Sequence, residues 1–456
     1  MARIPTLRSY QKEALDKTRQ SFASGVSRIV LVGPTGSGKT VVLAAIIQGA
    51  VSKGRRVCVI AHRTELISQI SETLDAFGID HGIIQGNHWR TKPSLVQVGS
   101  IQTLNNRKQI PTFEFVLIDE AHRAPADTYN DFIARNPQAK VLGFTATPYR
   151  ADDKGLGDLF EDIVEMASVQ WLIDHRFLVK PRIFVPNSLS SDPDEAEKEK
   201  LVGDIVGHWQ RFAKDRPTLV FAASVKHSEE IVERFRSAGA RARHLDGKTP
   251  ADERKQMIAD LHAGRIDVIS NVAVMIEGTD IPPASNLHLA RPTKSMALFR
   301  QICGRVLRPH PGKKDALIFD HAGASFRHGS ITAPVDATLQ GGVKKKNKSK
   351  SNEPGITYCG ECYAIVPQGT KLCPECGHDL VGAGSSQTPD EAEGELVELD
   401  QKRLQEEHER MKKREQKKAQ AMCKSVDELT ELGRQRGYKN PRKWAQNYWN
   451  ARQRNK

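Results

Sequence analysis

Three short stretches hold residues whose types and spacing could do chemistry. In "LVGPTGSGKT", Gly33, Gly38, Lys39 and Thr40 follow the pattern G-x-x-x-x-G-K-T, between an apolar run and "VVLAAIIQGA". Glycines so spaced let backbone N–H groups wrap a phosphate chain, and the start of a helix adds a favourable dipole. Thr35, Gly36 and Ser37 would complete the turn. Lys39 would reach the terminal phosphates, and the Thr40 hydroxyl would ligate Mg2+. In "FVLIDEAH" an apolar run ends on Asp119, Glu120, Ala121 and His122. A carboxylate at the C-terminal end of a parallel strand sits on the ligand side of its sheet. Asp119 is placed to hold Mg2+, and Glu120 to polarise an attacking water as general base. The third stretch, "QICGRVLR", carries Gln301, Gly304, Arg305 and Arg308. Cations arriving from a partner domain stabilise the charge that spreads over a transferring phosphoryl group. Read as helix, the two arginines lie three apart and face one way.

A fourth stretch, "YCGECYAIVPQGTKLCPECGHDL", sets Cys359, Cys362, Cys373 and Cys376 in two tight pairs. Four thiolates so arranged suit a closed, tetrahedral, structural Zn2+ site. Pro374 stiffens the second turn and Gly377 permits a positive φ there. The spacer is shorter than in many two-knuckle sites, so a redox dithiol and unpaired cysteines stay as alternatives. Cys58, Cys303 and Cys423 are scattered and suggest no disulfide framework.

These residues need strands and helices to position them. "RIVLVG", "RVCVIA", "FEFVLIDE" and "KVLGFTATP" read as buried strands, each followed by a helix-like segment, and the alternation resumes with "TLVFAAS", "IDVISNVAV", "NLHLARP" and "DALIFDHAG". Such alternation predicts parallel sheets in an α/β fold. About 335 residues are too many for one doubly wound domain, so two are expected, with the break between Met166 and Leu201 around "PNSLSSDPDEAEKEK". Domain one is then 1–170 and domain two 171–335. A Gly/Lys/Ser-rich linker covers 336–355, the cysteine module 356–382 and a charged, helical tail 383–456.

Composition narrows the partners. A net charge of +13 over 456 residues favours a polyanion, because each phosphate neutralised releases counterions. No stretch is long and apolar enough to span a bilayer, and "MARIPTLRSYQKEAL" lacks the apolar core of a secretory signal. A cytoplasmic monomer without membrane contact is expected.

The stretches together resemble the superfamily 2 helicases. Asp119-Glu120-Ala121-His122 resembles the DEAH form of their metal-binding box. "LRSYQKEAL" is similar to the adenine-reading segment, with Gln11 as reader. "AHRTELISQ" and "GSIQTL" resemble boxes that touch the nucleic-acid backbone, and Thr145-Ala146-Thr147 the box that couples hydrolysis to strand binding, with His122. "LVFAASVKHS", "NVAVMIEGTDIP" and "QICGRVLR" resemble the boxes of the second domain. Two tandem RecA-like P-loop domains are implied, closing over ATP and Mg2+. Gly278 and Asp280 would lie at the nucleotide. Gln301, Arg305 and Arg308 would face the cleft, with Arg308 as the preferred finger. Glu277-Gly278 ahead of Thr279-Asp280 further resembles RadD-like DNA-repair helicases of bacteria and phages, which also tend to carry a C-terminal cysteine module and a "GYK…W" tail.

The resemblance implies an ATP-driven motor on nucleic acid, DNA favoured over RNA, in repair, recombination or replication. A DEAH-type RNA helicase is one competing reading. Another is a zinc-dependent binding protein that uses ATP only as a conformational switch. The zinc ribbon beside Lys344, Lys345, Lys346, Lys348 and Lys350 could grip DNA or dock a partner protein, as could the tail. In that tail, Trp444 and Tyr448 are more readily explained by packing than by base stacking.

Overall fold

All eight aliphatic runs singled out above are parallel strands, and six further strands complete two sheets. The computed structural model describes residues 6–334 apart from 62–63, 87, 89, 124–125, 149–154, 187–200, 273, 276–280 and 294; it further describes 337–339, 356–358, 365–367, 391–392, 396–399, 420, 423, 425–435, 438 and 440–454.

The first sheet is built from β1 (Arg28–Val32), β2 (Val57–Ala61), β3 (Gly82–Ile84), β4 (Val96–Ser100), β5 (Phe115–Ile118), β6 (Lys140–Thr145) and β7 (Asp162–Glu165), in the order β3-β4-β2-β5-β6-β1-β7. The second contains β8 (Lys180–Pro186), β10 (Thr218–Ala222), β11 (Ala242–Leu245), β12 (Val268–Asn271), β13 (Asn286–Ala290), β14 (Asp315–Asp320) and β18 (Leu396–Glu398), in the order β11-β12-β10-β13-β14-β8-β18. The short strands β9 (Leu201–Val202) and β17 (Glu391–Ala392) pair with each other, as do β15 (Ile356–Tyr358) and β16 (Ile365–Pro367).

Aliphatic residues on both faces of a strand require cover on both sides. Ile29 and Leu31 face a cluster that continues through Met166, Leu172 and Leu178 of the connector into Leu219 and Phe221 of the second sheet. Val30 and Val32 face the opposite cluster with Phe132 and Phe160. Val220 and Ala222 pack with Trp209 and Phe235. The chain leaves the first sheet after Glu165 and makes a short helix, Val169–Asp174, whose N-terminus is capped by Ser168. It enters the second sheet at Lys180, inside the interval taken for the break.

Two segments after the second sheet turn back. Arg300 donates from its guanidinium to the Ala333 carbonyl (2.9 Å), and Gly157 of the first lobe donates its N–H to the Leu339 carbonyl (3.0 Å). Leu339 packs into the first lobe's apolar cluster, and a Cβ on Gly157 would lie 2.9 Å from that carbonyl oxygen. Ala333 and Leu339 therefore link the second lobe to the first. Further along, β18 adds antiparallel to β8, with Val397 opposite Val185. Arg182 grips Glu398 through two bonds of 2.9 and 2.8 Å, and the Leu396 N–H donates to His208 Nε2 at 3.3 Å. Part of the stretch read as a charged tail is thus the seventh strand of the second sheet. Among the described residues, no helix is long and apolar enough to cross a membrane.

Candidate active site

The phosphate loop follows β1, as the spacing requires. Gly36 (φ +86°) and Gly38 (φ +77°) take left-handed conformations that suit residues without a Cβ. A Cβ on Gly38 would sit 2.5 Å from Gln11 Nε2. Lys39 opens the next helix, Lys39–Val51, and its Nζ donates to the carbonyls of Gly33 (2.9 Å) and Pro34 (3.4 Å). Thr40 follows on the exposed side of the first turn. The loop is held from behind: Tyr10 Oη and Gln11 Nε2 both donate to the Ser37 carbonyl, at 2.8 and 3.0 Å. Gln11 Oε1 accepts from the Arg8 N–H (2.9 Å). The expected adenine reader is thus buried and braces the loop. Tyr10, which the sequence reading passed over, does the same work; its one signal was an aromatic on the buried face of its helix with Ala14 and Thr18.

The carboxylates stand in a turn after β5. Glu120 has φ +48°, a left-handed conformation that costs a non-glycine residue about 1–3 kcal/mol. The strained turn brings its carboxylate to the cleft, where Oε2 lies 3.3 Å from His122 Nδ1 and 3.5 Å from Gln301 Nε2 of the second lobe. His122 Nδ1 also lies 3.0 Å from Thr145 Oγ1. That hydroxyl already donates to the Thr147 carbonyl (2.7 Å), so the proton between them belongs to the histidine. Glu120, His122, Thr145 and Thr147 form one connected network. Gln301 is 2% exposed, and its buried Oε1 has no hydrogen-bond partner among the described residues.

The arginines correct one expectation. The helix Met296–Gly304 ends before them, Arg305 starts a single 3-10 turn, and Arg308 is extended at φ −65°, ψ 137°. They do not share a helix face. The cause is Pro309, whose ring disfavours helical backbone in the residue before it. Arg305 is buried, whereas the Arg308 stem lies along the phosphate loop, 3.5 Å from where a Cβ on Gly36 would be. A Cβ on Gly304 would meet Thr35 at 2.6 Å, so this glycine lets the second lobe touch the loop. Burial pushes the Lys39 amine below its ordinary pKa; Glu120 and Asp119 pull it back up, and Arg305 and Arg308 add to the lowering. Charges of both lobes therefore converge on Lys39. The loop glycines, Lys39 and the two carboxylates fit a nucleoside triphosphate with Mg2+, and the Gln301 oxygen is an acceptor that a water at the cleft could donate to.

Gly278, Asp280 and the cysteines Cys359, Cys362, Cys373 and Cys376 lie outside the described residues, as do the linker lysines. In "GSIQTL", Ser100 caps the helix Ile101–Asn106 by accepting from the Thr103 N–H (3.1 Å). Connector aromatics also reach the site. Tyr10 packs against Trp171 and Phe177, and the Arg8 guanidinium lies 4.5 Å over the Phe177 ring.

Residues 4–150 match the family described as Type III restriction enzyme, res subunit, and residues 197–310 match the helicase conserved C-terminal domain. A 51.5 kDa protein of a Lactococcus phage is 32% identical over 391 residues, covering 82% of this chain and 83% of its own. A protein of Schizosaccharomyces pombe named as a mitochondrial ATP-dependent helicase, irc3, is 32% identical over 396 residues, and the chain spans 64% of its length. Among solved structures, an HsdR-subunit fragment of a type I restriction enzyme from Vibrio vulnificus YJ016 aligns with a TM-score of 0.55 at 22% identity, covering 72% of this chain and 67% of that one. That likeness is one of fold.

Proposed function

The chain belongs to the ATP-hydrolysing helicases that join these two domain families, and from that premise we propose that it couples ATP turnover to movement along nucleic acid, with DNA as its track. The observation that carries this reading is the meeting of the two lobes at the loop and the carboxylates: Gln301 Nε2 lies 3.5 Å from Glu120 Oε2, Gly304 abuts Thr35, and the Arg308 stem lies along Gly36. Glu120, oriented by His122 and Gln301, takes the proton of the attacking water. Lys39 and the loop N–H groups bind the phosphates, and Tyr10 and Gln11 hold that loop in place from behind. Arg305 and Arg308 bring positive charge to the far side, Arg308 serving as the finger. Thr40 and Asp119 would hold Mg2+, which neutralises phosphate charge when bound. The His122–Thr145–Thr147 network passes the state of the cleft to the nucleic-acid face.

The basic charge favours a nucleic acid of either kind, and the resemblance to RadD-like helicases favours DNA, in repair, recombination or replication, with the chain acting as a monomer. Cys359, Cys362, Cys373 and Cys376 would hold a structural Zn2+.

The test is ATPase activity with single-stranded, duplex and forked DNA and with RNA. DNA should stimulate turnover, and Glu120→Gln should lower it about 10²–10⁴-fold. Stimulation by RNA alone would overturn the DNA track. Turnover unaffected by any nucleic acid would leave only a switch.

A further inference from the structure

The end of the chain folds into a pair of helices, Val426–Gln435 and Pro441–Arg454. They pack chiefly on each other. Leu429 and Ala445 are fully buried in the seam. Gly433 leaves room for the indole of Trp444, whose Cε3 would lie 3.0 Å from a Cβ there. Tyr438 and Tyr448 flank the same indole at 4.9 and 6.0 Å between ring centroids. The aromatics of the tail are therefore engaged in holding the pair together, as their packing reading expects.

The outward face of the second helix is different. Arg442, Lys443, Gln446, Asn447 and Asn450 are all exposed. From Tyr438 to Lys456 the sequence contains no Asp or Glu, and it continues with Arg452, Arg454 and Lys456. The first helix carries the opposite sign, with Asp427, Glu428 and Glu431 exposed. A cation-and-amide stripe without an apolar centre lacks what a protein interface usually buries. It has what phosphate oxygens need, N–H donors and positive charge. At a rise of about 1.5 Å per residue the helix is about 21 Å long, enough to follow several phosphates.

We propose that the outward face of Pro441–Arg454 is a second nucleic-acid contact, gripping the phosphate backbone outside the ATP cleft. Because Trp444 and Tyr448 are taken up by packing, the contact reads backbone and not bases. It rests on the nucleic-acid partner proposed above but not on which lobe residues hydrolyse ATP.

The experiment measures binding of the full chain to one DNA sequence, as single strand and as duplex, and to the matching RNA, over a range of salt. Arg442→Gln/Lys443→Gln should reduce the slope of log affinity against log salt by about 1.8 on duplex or about 1.4 on single strands. Basal ATPase should stay unchanged. Asp427→Asn/Glu428→Gln, on the opposite helix, should leave the slope as it is. An unchanged slope for the Arg442/Lys443 pair on all three ligands overturns the proposal. That result, with nucleic-acid-stimulated turnover intact, would leave the motor reading standing; lost stimulation with a reduced slope would do the reverse. Should the double variant alter basal turnover, Arg442→Lys decides by its own slope: retention of the wild-type value fits a charge contact, and a loss does not.

Discussion

The two lobes share one strand plan and differ in what stands at the strand ends. With β8 and β10 to β14 matched to β1 to β6, both sheets have the same order, and β18 takes the edge position that β7 holds in the first. After β1 comes the phosphate loop; after its counterpart β8 comes the Ser- and acid-rich run that begins at Asn187. After β5 stand Asp119 and Glu120; after β13 stands the buried Arg291. β6 ends on the buried Thr145, and β14 ends on the buried Asp320. Identical scaffolds thus carry opposite chemistry, because ligands are met by the loops beyond the carboxyl ends of the strands. The first lobe holds and hydrolyses, and the second completes the site.

The largest effect should come from separating these two roles. Arg308→Ala removes only what the second lobe contributes, so hydrolysis should fall about 10³–10⁵-fold while nucleotide still binds. Lys39→Ala removes a group from the binding lobe and should weaken nucleotide binding as well. Nucleotide titration beside single-turnover hydrolysis distinguishes them. Weaker binding with normal turnover in Arg308→Ala would place that residue in the holding lobe and break the division.

A smaller effect tests the sheet edges. Val164 in β7 and Leu396 in β18 are both buried, each on the strand that closes the same edge of its sheet. Truncating the larger one, Leu396→Ala, should cost about 2–4 kcal/mol, and Val164→Ala somewhat less. Each should lower the unfolding transition of its own lobe. If Leu396→Ala leaves the second lobe untouched, β18 is an accessory strand and the two sheets are not equivalent.

Much of this was legible in the sequence, for physical reasons. The chemistry-bearing stretches are local: the glycines of the loop, the acids after "FVLI" and the Gln-Gly-Arg series each announce themselves within about ten residues. The aliphatic runs marked central strands because both faces are buried. The strands at the edge and next to it were harder. "KPRIFVP" begins and ends near prolines, and "LVE" in β18 is short and set among acidic residues. Its pairing with β8 joins residues about 200 apart, which no local pattern reveals. The Gly157–Leu339 tie was invisible for the same reason. The arginine geometry was misread because spacing was weighed and Pro309 was not.

The smallest effect concerns pH, where the lobes differ in degree. In the first, burial lowers the pKa of His81, opposed by its bond to the Ile79 carbonyl and by Asp75 and Asp80, while His122 shares its Nδ1 proton with Thr145 beside the Glu120 carboxylate. In the second, His227 is 1% exposed and burial lowers its pKa to about 4; the nearby Glu230 opposes the shift and Arg234 adds to it. His288, stacked on His321, is also pushed well below its ordinary value by burial. A histidine with a depressed folded pKa stays neutral in the native lobe while the unfolded chain takes up a proton near pH 6.5. Stability is therefore full above that pH and falls until the folded pKa is reached. For His227 alone, a descent from about pH 7 to about pH 5 should remove about 2 kcal/mol from the second lobe. His227→Gln cannot titrate, so its denaturation midpoints should fall less over the same range, although its stability at neutral pH should be lower for losing the fitted ring. A variant whose midpoints fall as steeply as those of the wild type would assign the acid sensitivity to other groups, with His288 the next to test. If the first lobe fell in parallel, the contrast in how the two sheets bury their histidines would have no thermodynamic consequence.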